Sequence, residues 1–444
     1  MSDLLNIGAS AIRAYSSSLA AVSDNIANSQ TAGYARRSVH LSEAPGGGDT
    51  ALYRASIRPG GVLVAGIGRS VDQWLIDDAR TAGSEASQTG VRTSWLQATE
   101  RALDDGDAGV GASMTAFFGV ADRLASDPHN TALRSNFLQS ADDIASAFRR
   151  SASQLESISS GLETETAKAA DLLNSDLLAL KRVNDGLNAS RDGSTNQAAL
   201  LDERDRVIDS ISGLVSVTAH YNEKGAATIR ANGPGNETLL DGAVVAAVTH
   251  SMAADRMLRF TLSSGGAFVP PAGKLAGLAQ AAQHVSDQRS ALDTLAMQTA
   301  ADLNAVHQSG SDPAGNPGAA LLEVTGGAAT MTLAVVQPAD VAAANATSGN
   351  GNMLSFARLR GPDGIENNWA NLTALQAQAV SSAQAQGAAA GARQEGASAA
   401  RDDASGVDLD QEAADLLRFQ QAYQGAARVL QVARENMQTI MNAL

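Results

Sequence analysis

The sequence predicts a mainly α-helical protein with a β-rich insert, an α+β fold. We expect a terminal α-helical coiled-coil pair, a central helical bundle and a small outer β domain. Three observations lead to this prediction. Long stretches carry apolar residues at helical spacing, and both ends of the 444-residue chain carry apolar residues every seven positions. Between residues 215 and 272 the pattern changes to short apolar runs bounded by turn-forming residues, which is typical of strands.

The first apolar stripe lies in a helix that we expect to end near Asn28. Its members repeat every seven residues, with a second set three residues later: Leu5, Ile12, Leu19 and Ile26, then Gly8, Tyr15 and Val22. The turn-forming stretch NSQTAGY follows, and Gly33 is the residue best able to break the helix. A strict repeat of seven keeps one face toward a partner helix. We therefore assign residues 1–35 to an N-terminal assembly helix.

A second stripe occupies residues 406–444, which we assign to a C-terminal assembly helix. Its members are Leu409, Leu416, Tyr423, Leu430, Met437 and Leu444, flanked by Phe419, Ala426, Ala433 and Ile440. Asp408 opens this helix, and Gln411 stands at the fourth place of a capping box. The stripe runs to the last residue of the sequence, so we expect that no globular element covers it.

Two interpretations of these stripes remain open. The two helices could close the fold within one chain, or they could join neighbouring chains. The terminal position favours joining. Isolated helices of this kind are marginally stable in water, so we expect both termini to be loose in the monomer and to become ordered on assembly.

The middle of the chain reads as a helical domain in two parts, residues 36–214 and 273–405, which flank the β-rich outer insert at 215–272. Residues 36–69 look irregular or extended, and helical patterns follow from Val71 onward. One of these helices carries the run LDERDRVID, which we interpret as a charged outer face. In the insert, two strands should join at Glu223-Lys224-Gly225, and a helix should run from Lys274 to His307.

Composition excludes several classes of function. The net charge of −15 argues against a nucleic-acid partner, because phosphate binding needs concentrated Lys and Arg. The chain has no cysteine, so disulfides and cysteine-ligated metals are excluded. The N-terminal segment lacks the basic region of a cleavable signal peptide, and no segment has the length of apolar sequence that membrane insertion requires.

No pattern of residues indicates catalysis, a cofactor or a metal site. The six histidines show no metal-ligand spacing. The run from Asp202 to Arg206 alternates acids and bases, and we interpret it as a solvated helix face with local ion pairs. We therefore predict that the protein is not an enzyme.

The terminal segments resemble those of the bacterial flagellar axial proteins. The resemblance rests on SSLAAVSDNIANSQTAGYARR near the start and LLRFQQAYQGAARVLQVARENMQTIMNAL at the end. The middle is most similar to the hook-associated protein 1 (FlgK) family, through FFGVADRLASDPHNTALRSNFLQSADDIASAF and LLDERDRVIDSISGLVSVTAHYNEKG. One departure is Gln30-Thr31-Ala32-Gly33-Tyr34, which lacks the proline that family members often carry at the position of Ala32.

The resemblance implies a structural component that joins the flagellar hook to the filament outside the cell. It implies hook protein, the second junction protein and further copies of the chain as partners, with type III export and an export chaperone at the C-terminal helix. Asn25 and Asn28 would either bond the backbone of neighbouring subunits or form a turn that ends the helix; together with Tyr34 they complete the predicted interface. The alternatives are another axial subunit, such as hook protein or the second junction protein, and an axial scaffold that carries an active surface insert.

Overall fold

The structure is a computed structural model, and it describes residues 2–31, 33–44, 60–103 and 106–443. The predicted fold class is confirmed, because long helices alternate with small antiparallel sheets. Predictions that fall on Ala32, on residues 45–59 within the extended stretch, or on Leu444 lie outside the described residues.

The chain divides into two compact units. The first comprises residues 1–84, 172–247 and 391–444, and the second comprises residues 85–171 and 248–390. The helices that carry the chain from one unit to the other are α2 (Gln73–Ala102), α4 (Thr131–Ala189) and α8 (Ile365–Ser405).

The first unit contains both terminal helices, α1 (Ser2–Asn28) and α9 (Leu409–Ala443). After α1 the chain forms a hairpin of β1 (Arg37–Glu43) and β2 (Val62–Arg69), antiparallel with a bulge between His40 and Leu41. Helix α5 (Thr195–Leu214) begins at Ser194, whose side chain accepts a hydrogen bond from the Gln197 backbone amide. Four antiparallel strands complete the unit: β3 (Val217–Tyr221), β4 (Ala227–Ala231), β5 (Thr238–Asp241) and β6 (Val244–Val245).

The second unit is built on helices with an aromatic core. Its helices, besides parts of α2, α4 and α8, are α3 (Val110–Ser126), α6 (Lys274–Gln308) and the short α7 (Gly351–Ser355). Two small sheets accompany them, one of β7 (Val248–Met252), β8 (Leu258–Leu262) and β9 (Ala267–Phe268), the other of β10 (Leu322–Glu323) and β11 (Thr332–Leu333). The largest buried side chains are Phe117, Phe118, Phe137, Phe148, Phe356 and Trp369.

The strands predicted between residues 215 and 272 are present, but they do not form one sheet. β3–β6 belong to the first unit and β7–β9 to the second. Sequence periodicity locates strands but carries no information about which strands share a sheet, because pairing depends on contacts between distant residues.

Candidate assembly interface

Helices α1 and α9 pack against each other in antiparallel orientation, and we call them the terminal helix pair. Near the start of α1, a Cβ placed on Gly8 would lie 3.3 Å from the Cβ of Leu430, far along α9. Near the end of α1, Asn25 Nδ2 donates a hydrogen bond to Glu412 Oε2 at 3.0 Å, close to the start of α9. Asp408 caps α9 by accepting hydrogen bonds from the backbone amides of Asp410 and Gln411.

The buried face of the terminal helix pair is made of small side chains. On α1, Ala14 and Ala21 are buried together with Gly8. On α9, the buried alanines are Ala426 and Ala433, which continue a seven-residue spacing from Glu412 through Phe419. Small residues at the contact let the two helix backbones approach closely, so little apolar surface is buried per residue.

The larger residues of the predicted stripes flank this buried face. Val22 is buried. The half-buried members are Leu5, Ile12, Leu19, Leu416, Phe419 and Leu430. The exposed members are Ile26, Leu409, Tyr423, Met437 and Ile440. The seven-residue spacing identified the two helices. The small residues beside the stripes determine which face of each helix packs against the other.

Asn25 is the polar centre of the first unit, with no exposed surface. Its Nδ2 donates to the carbonyl of Arg37 at 2.9 Å and to Glu412, and its Oδ1 accepts from the Arg37 backbone amide and the Tyr34 hydroxyl, both at 2.9 Å. One amide therefore joins α1 to the following turn, to β1 and to α9. These contacts lie within the chain, and they go beyond the turn that the sequence suggested for this residue.

Glu412 is a fully buried carboxylate that sequence reasoning missed. Its Oε1 lies 2.6 Å from Arg36 Nε, and Arg36 Nη2 also contacts Asp415 Oδ2 at 3.2 Å. A buried charge is tolerated only when it is paired and hydrogen-bonded, so the position of α9 depends on Arg36 and Asn25. The sequence did contain a signal for this residue: Glu412 lies four residues after the capping Asp408 and seven before Phe419, at a position where the repeat predicts an apolar side chain.

The turn after α1 uses the other predicted residues. Asn28 is the last residue of α1, and its Nδ2 donates to the carbonyl of Asp24 at 2.9 Å, four residues earlier in the same helix. Gly33 has φ of 75°, and a Cβ there would lie 2.7 Å from Arg206 Cγ. Burial raises the pKa of Tyr34 to about 12, so its hydroxyl stays protonated and can donate to Asn25.

The charged run on α5 is buried, which contradicts its interpretation as a solvated face. Asp202, Arg204 and Asp205 are each less than a tenth exposed, and only Glu203 and Arg206 form an exposed pair. These side chains are buried because of contacts made in the tertiary structure. Arginines from the hairpin and α2, far away in sequence, cover the acids of α5, and their partners could not be identified from the run itself.

Ion pairs connect α5 to the hairpin. Asp202 contacts Arg37 Nη2 at 2.6 Å and Arg69 Nε at 2.7 Å, and Asp205 contacts Arg69 Nη2 at 2.7 Å. Burial alone would raise the pKa of Asp205, but Arg204, Arg69 and Arg80 together hold that pKa below its ordinary value of 3.8. The backbone amide of Arg37 also donates to Asn25. The ion pairs of α5 and the hydrogen bonds of Asn25 therefore form one continuous polar network beside the terminal helix pair.

Among the described residues of this interface, the contacts are apolar packing, hydrogen bonds and charge pairs. The described residues contain no group of three or more His, Cys, Asp and Glu side chains placed to hold a metal ion. None of the helices in the described part of the chain combines the length and apolar composition that a membrane crossing requires.

Comparison with known proteins identifies the class to which this arrangement belongs. Residues 402–443, which include α9, match the family model of the flagellar basal body rod FlgEFG protein C-terminal region, so the pair-forming helix is of a type found in flagellar proteins. Residues 96–322 match the helical domain of flagellar hook-associated protein FlgK, over just more than half of the chain. The chain belongs to the FlgK hook-associated protein family.

Individual relatives agree with this assignment. The chain is 22% identical to flagellar hook-associated protein 1 of Bacillus subtilis, over 98% of this chain and 96% of that protein. It is 25% identical to the Salmonella typhimurium protein of the same name, over 72% of this chain and 59% of that relative. The chain thus spans only about three fifths of the length of the Salmonella relative.

A solved structure supports the fold. The flagellar hook junction protein FlgK from Burkholderia pseudomallei superposes with a TM-score of 0.50 at 18% identity, covering 56% of this chain and 47% of that chain.

Proposed function

We propose that this protein is a structural subunit that joins the hook to the filament of the bacterial flagellum. The observation that carries the proposal is the terminal helix pair, in which a flagellar-type α9 is held against α1 by a buried polar network while its larger apolar residues stay partly exposed. The relatives in the same family are named for association with the hook.

Assembly would proceed through the segments 1–35 and 406–444. Leu409, Tyr423 and Met437 keep between 37% and 51% of their surface exposed. Covering the remaining surface of one such side chain contributes about 1 kcal/mol, and a subunit in a lattice covers several at once. The buried network would fix the orientation of the pair, so that each added subunit offers the same surface to the next.

The proposed partners are hook protein on one side and the second junction protein on the other, together with further copies of this chain. An export chaperone would cover the exposed apolar residues of α9 before type III export. We place the assembled protein outside the cell, in the flagellum, and propose neither membrane insertion nor nucleic-acid binding.

Two alternatives are less well supported. Hook protein and the second junction protein share the terminal segment, but the helical domain at 96–322 matches the FlgK model. An axial scaffold with an active insert would need a catalytic constellation on its strands. The family is a structural one, and we assign no catalytic activity.

The test is reconstitution on purified hooks that lack this protein. The full-length chain should form a short, self-limiting layer at hook tips and permit filament growth when downstream proteins are added. Open-ended growth would indicate a hook-type or filament-type subunit. Failure of the folded protein to bind hooks would overturn the proposal.

Leu430→Asp should abolish incorporation, because it places a charge beside Gly8 at a cost of several kcal/mol. Leu375→Asp is the matched control, since Leu375 is a 63% exposed leucine on α8, outside the terminal segments. Circular dichroism should show that both variants remain folded. Normal incorporation of the Leu430 variant would contradict the role of the pair.

A further inference from the structure

Two loops of the second unit lie against the end of helix α6, and we call them the first loop (residues 311–320) and the second loop (residues 336–350). The Ser311 amide donates to the Ala344 carbonyl at 2.8 Å, and the Ala344 amide donates to the Ser311 carbonyl at 3.2 Å, so the two loops are joined to each other. Every residue of the first loop is at least partly exposed. A loop that buries so little surface can open locally, and its position therefore depends on a few polar contacts.

His307, in the last turn of α6, contacts both loops at once. Its side chain is fully buried. Its Nδ1 lies 2.7 Å from the carbonyl oxygen of Ala319 in the first loop, and its Nε2 lies 3.0 Å from the backbone nitrogen of Ala342 in the second loop. The first loop also passes so close to the helix that a Cβ on Gly318 would overlap the His307 carbonyl oxygen. One imidazole ring therefore connects the two loops to the helix end.

The two partners of the His307 ring are compatible with a single protonation state. A carbonyl oxygen only accepts hydrogen bonds, so Nδ1 must carry a hydrogen, and a backbone amide only donates, so Nε2 must be without one. The neutral ring satisfies both contacts. A proton on Nε2 would point at the Ala342 N–H, so that two donors face each other, and it would leave a buried positive charge.

The surroundings of the ring also disfavour a positive charge. Burial lowers the pKa of His307 below its ordinary value of 6.5, and the bond to the Ala319 carbonyl offsets this only in part. Arg134 Nη1 donates at 2.7 Å to the carbonyl of Val341, which belongs to the same peptide group as the Ala342 amide, so a guanidinium already lies at the other end of that group. The remaining charged and titratable groups on the segments around the ring are at least partly exposed to solvent: Asp127, His129, Asp302, Asp312 and Asp340.

We propose that His307 is a pH-sensitive switch, which holds the first loop against α6 while its ring is neutral and releases that loop when the ring takes up a proton. This inference concerns the second unit and does not depend on the proposed function. The second loop keeps two contacts that do not titrate near neutral pH, from Arg134 to Val341 and from Asn352 Nδ2 to the Ala342 carbonyl at 2.7 Å. The first loop is therefore the part that opens, and the charged ring reaches water on that side.

Amide hydrogen exchange of the full chain at about pH 7.5 and about pH 5.5, corrected for intrinsic exchange rates, tests the switch. The ring binds a proton more readily when the loop is open, so the contact is fully effective above pH 6.5 and weakens below it. The protection of the first-loop amides and of Ala342 should therefore fall up to about tenfold over this interval. In low concentrations of urea the loop exchange should not respond, because local opening exposes little surface, whereas exchange in α3 should accelerate. Unchanged loop protection, or a parallel urea response of the loop and α3, would overturn the proposal.

His307→Gln is the decisive variant, because a glutamine amide can donate to Ala319 and accept from Ala342 but does not titrate. Its loop protection should be the same at both pH values, whereas the exposed-site control His129→Gln should keep the response of the unsubstituted protein. A pH response that persists in His307→Gln would contradict the switch. Nitrogen NMR of the His307 ring in the unsubstituted protein gives a second test that needs no variant: hydrogen on Nδ1 at neutral pH is expected, and hydrogen on Nε2 would overturn the proposal.

Discussion

The second unit holds its elements together with aromatic side chains, whereas α1 and α9 meet through small side chains and a buried amide. Phe117 lies 5.0 Å from Phe137 and 5.4 Å from Phe356 between ring centroids, and none of the three is more than 1% exposed. In the terminal helix pair the buried residues are mostly glycine and alanine, and the larger apolar residues stay partly exposed. The aromatic core is buried within the second unit, whereas the pair leaves part of its apolar surface exposed.

This difference means that the two regions respond to different substitutions. The aromatic core depends on volume, because tightly packed interiors tolerate little loss of side chain. The terminal helix pair depends on hydrogen bonds and charge pairs that fix one orientation. A substitution in one of these two regions should leave the other unchanged, so the unchanged region serves as an internal reference.

The largest expected effect is that of Phe137→Ala on the second unit. Removing a fully buried ring leaves a cavity among Phe117 and Phe356, and such losses cost about 3–5 kcal/mol. Urea denaturation monitored by hydrogen exchange should show the loss in peptides of α3 and α4. The exposed Leu375→Ala should change stability by no more than about 0.5 kcal/mol. A similar loss in both variants would contradict the packing argument.

Asn25→Ala should loosen the terminal helix pair without affecting the aromatic core. It removes partners from Glu412, the Tyr34 hydroxyl and the Arg37 backbone, and an orphaned buried polar group costs about 1–3 kcal/mol. Amide exchange should accelerate in α1 and α9 while α3 is unchanged. Asn28→Ala is the control, because its Nδ2 bonds only within its own helix end, and it should have a smaller effect.

We expect His307 to make the stability of the second unit depend on pH. The side chain is fully buried, its Nδ1 lies 2.7 Å from the carbonyl of Ala319, and its Nε2 accepts from the Ala342 amide at 3.0 Å. Burial lowers the pKa of His307 below its ordinary value of 6.5. The unfolded chain therefore binds the proton more readily, so the stabilising contribution is present above pH 6.5 and is lost as pH falls below it.

The free energy of unfolding of the second unit should thus decrease with a slope of up to about 1.4 kcal/mol per pH unit below that point. Denaturation of His307→Gln at several pH values should show a smaller slope. His129→Gln, at an exposed position, should keep the slope of the unsubstituted protein. Equal slopes for all three proteins would exclude His307 as the cause.

The smallest expected change in stability is that of replacing a glycine of the first unit by alanine, and its sign should differ between Gly33 and Gly83. Gly33→Ala should destabilise by about 1 kcal/mol, because φ is positive and the new Cβ would displace the Arg206 side chain. Gly83→Ala, in the interior of α2 with nothing within 4 Å of the new Cβ, should stabilise by up to about 1 kcal/mol. Relative to the unsubstituted protein, the urea midpoint should fall for Gly33→Ala and rise for Gly83→Ala. Equal midpoints for the two variants would refute the distinction.

The sequence predicted helices, strands and caps well where they depend on interactions between residues close together in the chain. The helix expected from Lys274 to His307 is observed as Lys274–Gln308, and the strands expected around Glu223-Lys224-Gly225 are β3 and β4. Asp408 caps α9 as its sequence context indicated. Caps, turns and apolar periodicity depend on residues a few positions apart, so the sequence alone carries them.

The sequence by itself determined the helices, their breaks, and the resemblance that the FlgK family match confirms. Tertiary structure decided which face of α1 meets α9, and that the acids of α5 are buried under Arg37 and Arg69. It also divided the strands of the insert between two sheets. A helical repeat predicts which face of a helix is apolar, but it does not predict which element packs against that face. Whether a charged side chain is buried or solvated depends on residues from distant segments of the chain that contact it.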